Sequence, residues 1–436
     1  MRYFIETYGC QMNVAESAAL ETQFLERGWT RSVDASDAHL VLINTCSVRI
    51  TAETRVWGRI AHYAALKRRR DFTLVVTGCM AERLKDAMRQ KAPGIDYVLG
   101  TFQKAGFGLV IDAVEKGLRL DVVEETPRFV FARSHRQPGA YSSFVPIMHG
   151  CNNFCSYCIV PYVRGREISR SPEAVMAEIH SLAESGVREI TLLGQNVNSY
   201  HWSESGVTLD FAGLLTMIAT ELGSSAIGRV RFVSSHPKDL SMATIEAMAS
   251  SDIFSRHIHL CVQHGSDRVL EAMNRKYSSS DYRALVKTIR ARLPGATIST
   301  DILVGFPGET EDDVEQTIEL MREIRFAYAF MYHYNPREGT PAARMEQVPD
   351  AVKKARLARV IALQKEITKG VMSDMLGSEA TVLIEAVSKR NPAELLAKTD
   401  QDMMVVFPAS SARIGSVVRV RLNALRGTTF RAEEVG

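Results

Sequence analysis

Short apolar runs alternate with longer amphipathic stretches through the first part of the chain. The runs at 3–5, 40–43 and 74–76 are rich in strand formers, and the stretches at 15–27 and 52–69 have a helical pattern. Alternating β and α elements predict a doubly wound, open parallel sheet, in which ligands bind beyond the carboxyl ends of the strands. Farther on, strand-like runs at 144–148, 189–193, 230–233, 258–262, 297–304 and 326–334 are separated by helical patterns such as 172–185, 244–248 and 280–292. Six βα units without a clear seventh and eighth predict an incomplete barrel with its chemistry at the carboxyl ends of the strands. A charged helical connector at 351–376 leads into the short strands TVLIEAVSKR, MMVVFPA, GSVVRVRLNAL and TTFRAEEV. Alternation there turns Val418, Val420 and Leu422 inward and Arg419 and Arg421 outward, as in a small β-barrel. The expected division is an α/β chain of three parts, 1–117, 137–367 and 370–436.

With 436 residues, 46% hydrophobic and 24% charged, the chain has the composition of an ordinary globular protein. Nothing approaches the ~18 consecutive apolar residues of a membrane span. The start, MRYFIETYGCQMN, has no basic-then-apolar leader, so no membrane association and a cytoplasmic location are expected. Charge is nearly balanced, 53 basic against 50 acidic, so any nucleic-acid affinity must come from local patches. Such patches are residues 67–70, a solvated helix end; Arg164, Arg166 and Arg170, where a substrate would pass; and Arg275 with Lys276.

Seven cysteines, an odd number, argue for metal or redox chemistry over a disulfide framework. Cys10, Cys46 and Cys79 each follow an apolar run, in TYGC, NTC and TGC, so all three fall at strand exits of one sheet. Any one of them reads as a buried apolar residue, but recurrence at three exits favours a shared site. Cys151, Cys155 and Cys158 lie in HGCNNFCSYC with CxxxCxxC spacing. Three thiolates hold three irons of a four-iron cluster and leave the fourth open to a non-protein ligand. Zinc sites usually pair CxxC with a second pair of ligands, and no such CxxC or HxxxH partner is present. Polar residues gather at the barrel's strand ends: Gly194, Gln195 and Asn196; Ser234, Ser235 and His236; Gln263 and His264; with Asp301 inside the fifth strand.

The motifs TYGCQMN, NTCSVR, TGCMAE, GCNNFCSYC, LLGQNVNSY and DILVGFPGET resemble those of the methylthiotransferases of the radical S-adenosylmethionine superfamily, across essentially the whole chain. GCQMN is similar to the branch that acts on dimethylallyladenosine in tRNA. The branches acting on threonylcarbamoyl-adenosine tRNA or on a ribosomal protein side chain differ at this element. The resemblance implies a radical S-adenosylmethionine barrel and two [4Fe-4S] clusters. One is held by Cys151, Cys155 and Cys158 and binds S-adenosylmethionine; the other, held by Cys10, Cys46 and Cys79, supplies sulfur. The implied reaction is methylthiolation of carbon 2 of N(6)-isopentenyladenosine at position 37 of tRNA, with a second S-adenosylmethionine giving the methyl group. Gly194, Gln195, Gln263 and Asp301 are the implied cofactor contacts, and no catalytic residue is singled out beyond the cluster ligands. Implied partners are the tRNA anticodon stem-loop, an electron donor such as flavodoxin or ferredoxin, and a sulfur donor.

The carboxyl-terminal part resembles the TRAM domain, a small RNA-binding barrel. Residues 398–402 read KTDQD where that family has an arginine-threonine-glutamate run. Lys389, Arg390 and Lys398, together with Arg164, are the expected RNA contacts. HLCVQHGSD departs from the family at Cys261, read as a buried inert thiol, and at His264, read as a satisfied hydrogen-bonding residue. Two rivals remain at this point. The same core on another methylthiotransferase substrate would need a different recognition surface, and a non-catalytic iron–sulfur carrier would need no open cofactor site.

Overall fold

Five parallel strands, β1 (Arg2–Thr7), β2 (Thr30–Arg31), β3 (Leu40–Thr45), β4 (Thr73–Gly78) and β5 (Tyr97–Leu99), form the amino-terminal sheet in a computed structural model of the chain. The structure describes residues 1–47, 50–121, 123–126, 128–132, 140–223, 225–409 and 413–435. The end of NTCSVR at Val48 and Arg49, and the expected domain start at 137, lie outside the described residues.

The spatial order is β2-β1-β3-β4-β5, with α1 (Gln11–Leu25), α2 (Ile50–Lys67), α3 (Cys79–Leu84), α4 (Asp86–Lys91) and α5 (Phe107–Glu115) between and after the strands. Period-two alternation sends Val41, Ile43, Leu74 and Val76 to one face, against Val56, Ile60 and Tyr63 of α2. Leu40, Leu42 and Val75 face the other way, against Phe24 of α1 and Phe107 and Val110 of α5. Helices on both faces make the sheet doubly wound, as the alternation predicts. Its switch point lies between β1 and β3, the place where such sheets bind ligands.

The central part starts with β6 (Ser142–Pro146) and a ribbon of β7 (Met148–His149) and β8 (Ile168–Ser169), with α6 (Val160–Arg164) between the arms of the ribbon. Next come α7 (Pro172–Glu184), β9 (Glu189–Leu193), the hairpin β10 (His201–Glu204) and β11 (Val207–Asp210), and α8 (Phe211–Leu222). The series continues with β12 (Arg229–Phe232), α9 (Met242–Ala249), β13 (His257–His259), α10 (Asp267–Ala272) and α11 (Ser279–Arg292). It closes with β14 (Thr297–Val304), α12 (Glu311–Ile324), β15 (Tyr328–His333) and α13 (Asp350–Asp374).

The six barrel strands pair in parallel as β12-β9-β6 and β13-β14-β15, and bridges at Val230–Phe254 and Ser235–Leu260 join the two groups. Local chemistry fixes the helix starts. Ser171 caps α7 ahead of Pro172, and a reciprocal Thr310–Asp313 box caps α12 beneath three acids in its first turn. The strand expected over 258–262 ends early, at His259. Leu260 N donates to Ser299 O, but Gln263 N donates to Asp301 O, so three steps on one strand match two on its neighbour. This extra residue is a bulge, and Gln263 leaves it at φ +69°.

The carboxyl-terminal part is a closed barrel of β16 (Glu379–Val387), β17 (Glu394–Thr399), β18 (Met404–Pro408), β19 (Val417–Arg426) and β20 (Thr429–Glu434). Its core includes Val382, Ile384, Phe407, Val420, Leu422 and Phe430. Neither β17 nor the β10–β11 hairpin is foreseen by the hydrophobic pattern. The hairpin is almost wholly exposed, and β17 turns only Leu395, Ala397 and Thr399 inward.

The expected boundary at 367–370 falls inside α13, which is unbroken. Its buried stripe runs through Val360, Gln364, Thr368 and Met372. Gln364 and Thr368 donate to the carbonyls of Phe326 and Ala327, while Met372 enters the core of the small barrel.

Both ends of the central barrel are covered. Over the carboxyl end, Met12 and Ala15 of α1 pack on Leu193, Phe144 and Val233. At the amino end the β17–β18 turn inserts. Asp400 pairs with Arg229 at 3.4 Å, Asp402 pairs with Arg231 at 3.2 Å and accepts from Tyr328 at 2.6 Å, and Thr297 donates to Gln401 O at 2.9 Å. KTDQD is thus a docking plug. Lys398, expected to meet RNA, is partly exposed and pairs with Asp402 at 3.3 Å and Glu385 at 3.8 Å beside that plug. Among the described residues no helix is long and apolar enough to cross a membrane.

Candidate metal centre

The loop carrying Cys151, Cys155 and Cys158 leaves β7 through Gly150, at φ +82°. A Cβ there would lie 2.0 Å from Arg166 O, so this close approach requires glycine. Gly150 N donates to Gln195 Oε1 at 2.5 Å, and Cys151 N to Gly165 O at 3.1 Å. Cys158 N donates to Cys155 O at 2.9 Å, which folds the CSYC segment into a turn. Arg275 Nη1 donates to Cys155 Sγ at 3.3 Å while its Nη2 donates to Cys261 O at 2.8 Å. None of the seven cysteines is joined in a disulfide. Burial pushes the Cys151 thiol up to about 11 and the Cys158 thiol up to about 12. The bare thiols are therefore neutral, and a metal that binds them must displace their protons.

The other triad follows the expected strand exits. Cys10 caps α1 after β1, Cys46 follows β3, and Cys79 begins α3 after β4, so Cys10 and Cys46 flank the switch point. Gly9, at φ +119°, packs so closely that a Cβ would lie 2.6 Å from Cys46 Cβ, and a Cβ on Gly78, at φ +96°, would meet Thr45 O at 2.4 Å.

The two triads adjoin each other. Cys79 packs against Ile159 and Val163, on the helix that directly follows Cys158. From the same helix Arg164, 3% exposed, donates to Glu16 Oε1 at 2.6 Å and to Asn13 Oδ1 at 2.8 Å, both on α1. Lys104 also pairs with Glu16. Burial pushes the Glu16 carboxyl up, but Arg164 and Lys104 outweigh it and hold the group well below the usual carboxylate range. Arg164 was expected to contact RNA phosphate; its burial and its commitment to Glu16 correct that reading. Arg170 is buried on Glu178 and Arg275 on Cys155, while Arg166 and Lys276 beside them are exposed. Lys389 and Arg390 are exposed.

Of the expected cofactor contacts, Gln195 reaches the first cysteine loop through Gly150. Gly194 lies against Met148, 2.5 Å from its Cγ to a would-be Cβ. Gln263 and Asp301 adjoin through their backbones, with the Asp301 carboxylate 3.6 Å from His259. Between these groups, Asn196 Oδ1, both amide atoms of Asn198, Ser235 Oγ and His236 Nε2 are buried without a protein hydrogen-bond partner. Unpartnered buried polar atoms fit a polar ligand at these strand ends, and three thiols per triad fit a cluster with one open iron. His264 is satisfied as expected, by Glu309 at 3.1 Å and by Ser266 N. Cys261 differs from the expectation: it is half-buried, with its sulfur 3.3 Å from His259 Nε2. Arg275 was missed as a cluster neighbour, because its position in a basic pair carries no signal of burial.

Three family models match the chain: Uncharacterized protein family UPF0004 over residues 2–100, the Radical SAM superfamily over 145–321 and the TRAM domain over 374–435. A tRNA-2-methylthio-N(6)-dimethylallyladenosine synthase from Treponema pallidum (strain Nichols) is 49% identical, covering 100% of this chain and 99% of the relative. The protein of the same name from Chlorobium luteolum (strain DSM 273 / BCRC 81028 / 2530) is 41% identical, covering 100% and 97%. Among solved structures, the radical S-adenosylmethionine methyltransferase TsrM from Kitasatospora setae superposes with a TM-score of 0.61 over 78% of this chain and 77% of that one. At 17% identity it is a likeness of fold.

Proposed function

Since the chain belongs to the tRNA-2-methylthio-N(6)-dimethylallyladenosine synthase family of the radical S-adenosylmethionine superfamily, we propose that it methylthiolates carbon 2 of N(6)-isopentenyladenosine at position 37 of tRNA. It is a transferase that uses S-adenosylmethionine and [4Fe-4S] chemistry. The observation that supports this reading most is the pair of adjoining cysteine triads, tied together by Arg164, with unpartnered polar atoms at the barrel's strand ends.

When bound, a three-thiolate cluster offers its open iron to the amino and carboxylate groups of S-adenosylmethionine and supplies the electron that cleaves the sulfonium. Cys151, Cys155 and Cys158 hold that cluster, Gln195 steadies their loop, and Arg275 sets a fixed cation against the Cys155 sulfur. Gly194, Gln195, Gln263 and Asp301, at or beside the carboxyl ends of the barrel strands, are the proposed cofactor contacts. Cys10, Cys46 and Cys79 would hold the second cluster, which would supply the sulfur to be inserted. The α1 cover over the strand ends keeps bulk water from the reacting atoms. A flavodoxin or ferredoxin serves as reductant, a separate donor renews the sulfur, and the reaction takes place in the cytoplasm.

The test is to incubate iron-loaded protein anaerobically with S-adenosylmethionine, a reductant and tRNA carrying isopentenyladenosine, and then to analyse the nucleosides by mass spectrometry. A methylthio group in place of one hydrogen, with 5′-deoxyadenosine formed alongside, is expected. 5′-Deoxyadenosine without a modified nucleoside would move the substrate elsewhere, and cluster transfer without cleavage would make the protein a carrier.

Lys389 and Arg390 are the proposed phosphate contacts. Charge reversal of both to glutamate should weaken tRNA binding and lower the slope of log Kd against log salt by about two. A salt titration with an unchanged slope would remove them from the footprint.

A further inference from the structure

Among the described residues, His259, Cys261 and Asp301 bring three metal-ligating donor atoms together inside the central barrel. The strand period of two turns positions 259 and 261 to the same face. On the adjacent parallel strand Ser299 is opposite His259 in register, and Asp301 follows two residues later on that face. Cys261 N donates to Ser235 O at 3.1 Å, on the β12 side of the strand, so the alternation that places Cys261 beside His259 holds up to the bulge that ends at Gln263.

His259 Nε2 lies 3.3 Å from Cys261 Sγ and 3.6 Å from Asp301 Oδ2, and all three donor atoms fall within 4.8 Å of one another. Neighbouring donors around a tetrahedral ion with bonds of about 2.0–2.3 Å are separated by similar distances. His259 Nδ1 is 2.9 Å from Ser299 Oγ, which orients the ring and leaves Nε2 for the ion. Thiolate, carboxylate and neutral imidazole together carry the charge that balances a divalent cation, and their N, O and S mixture suits zinc. Cys261 and Asp301 are half-buried, so a fourth position would open to the barrel interior.

We propose that His259, Cys261 and Asp301 form a binding site for a divalent transition metal of the zinc class, with one exchangeable position facing the barrel interior. The site shares no residue with the iron–sulfur ligands; it shares Asp301 with the proposed S-adenosylmethionine contacts, so its test reads metal content and not activity.

The experiment starts from anaerobic, iron-loaded protein, so that both triads are filled. It is exposed to zinc, stripped of loosely held metal on a chelating resin, and assayed for zinc and iron by mass spectrometry. Wild type should retain about one zinc per chain, and the zinc absorption edge should report a first shell with one sulfur among nitrogen and oxygen. Cys261→Ala and, separately, the isosteric Asp301→Asn should each cut the retained zinc at least tenfold with iron unchanged, which also shows that the fold survives. No zinc retained by iron-loaded wild type, or zinc retained equally by both variants, would overturn the site and leave a hydrogen-bonded thiol in its place.

Discussion

Replacing Cys151, Cys155 and Cys158 together with alanine is expected to lower the iron content of anaerobically purified protein from about eight to about four per chain and to abolish 5′-deoxyadenosine formation. The matching replacement of Cys10, Cys46 and Cys79 should also halve the iron, but it should leave 5′-deoxyadenosine formation in place and remove only the methylthiolated nucleoside. The two outcomes differ because the triads rest on different supports. The first hangs from β7 and is held by Gln195 and Arg275, whereas the second is set by three strand exits of the amino-terminal sheet. Iron falling to zero in either variant would mean that the triads assemble as one unit.

Arg164→Ala should be the most damaging single change to stability. It would leave the Glu16 carboxylate buried beside Lys104 alone, and breaking a buried pair in this way costs about 3–5 kcal/mol. Substituting both partners, Arg164→Met with Glu16→Gln, should recover much of the loss, since no uncompensated charge remains. Denaturant titration reads both effects. The sign of the pH dependence follows from the lowered carboxyl. Glu16 contributes stability above its unfolded value near 4.5, and that contribution fades as pH falls towards the folded value. The double variant should therefore lose less stability than wild type between about pH 5 and about pH 2. Equal losses would show that the Arg164–Glu16 pair does not govern the joint between the two domains.

The cysteine framework and the order of the sheets were readable because each depends on short-range pattern. TYGC, NTC and TGC each put a thiol directly after an apolar run, and the runs became β1, β3 and β4. The fate of the charged residues was hidden, because it depends on partners far away in the chain. Arg164 meets Glu16 across 148 positions, and Arg231 reaches Thr399 O across 168. A basic residue that seeks phosphate and one that seeks a distant carboxylate look the same in sequence, so Arg164 was placed on RNA when it is engaged by protein. The bulge at Cys261 was similarly invisible. A continuous β-rich run gave no sign that the ladder slips by one residue between Leu260 and Gln263, nor that the thiol would sit 3.3 Å from His259 Nε2.

The plug of Asp400, Gln401 and Asp402 has a mechanical meaning. The small barrel is attached to the larger one both by α13 and by this inserted turn, and two anchors fix an orientation where a single tether would allow a swivel. The span from the exposed Lys389–Arg390 corner to the strand ends of the larger barrel is then a fixed length, set by folded protein. With Lys389 and Arg390 as the proposed phosphate contacts, a nucleic acid gripped at one jaw of such a calliper would present a defined nucleotide at the other, its position set by distance and not by reading the bases in between.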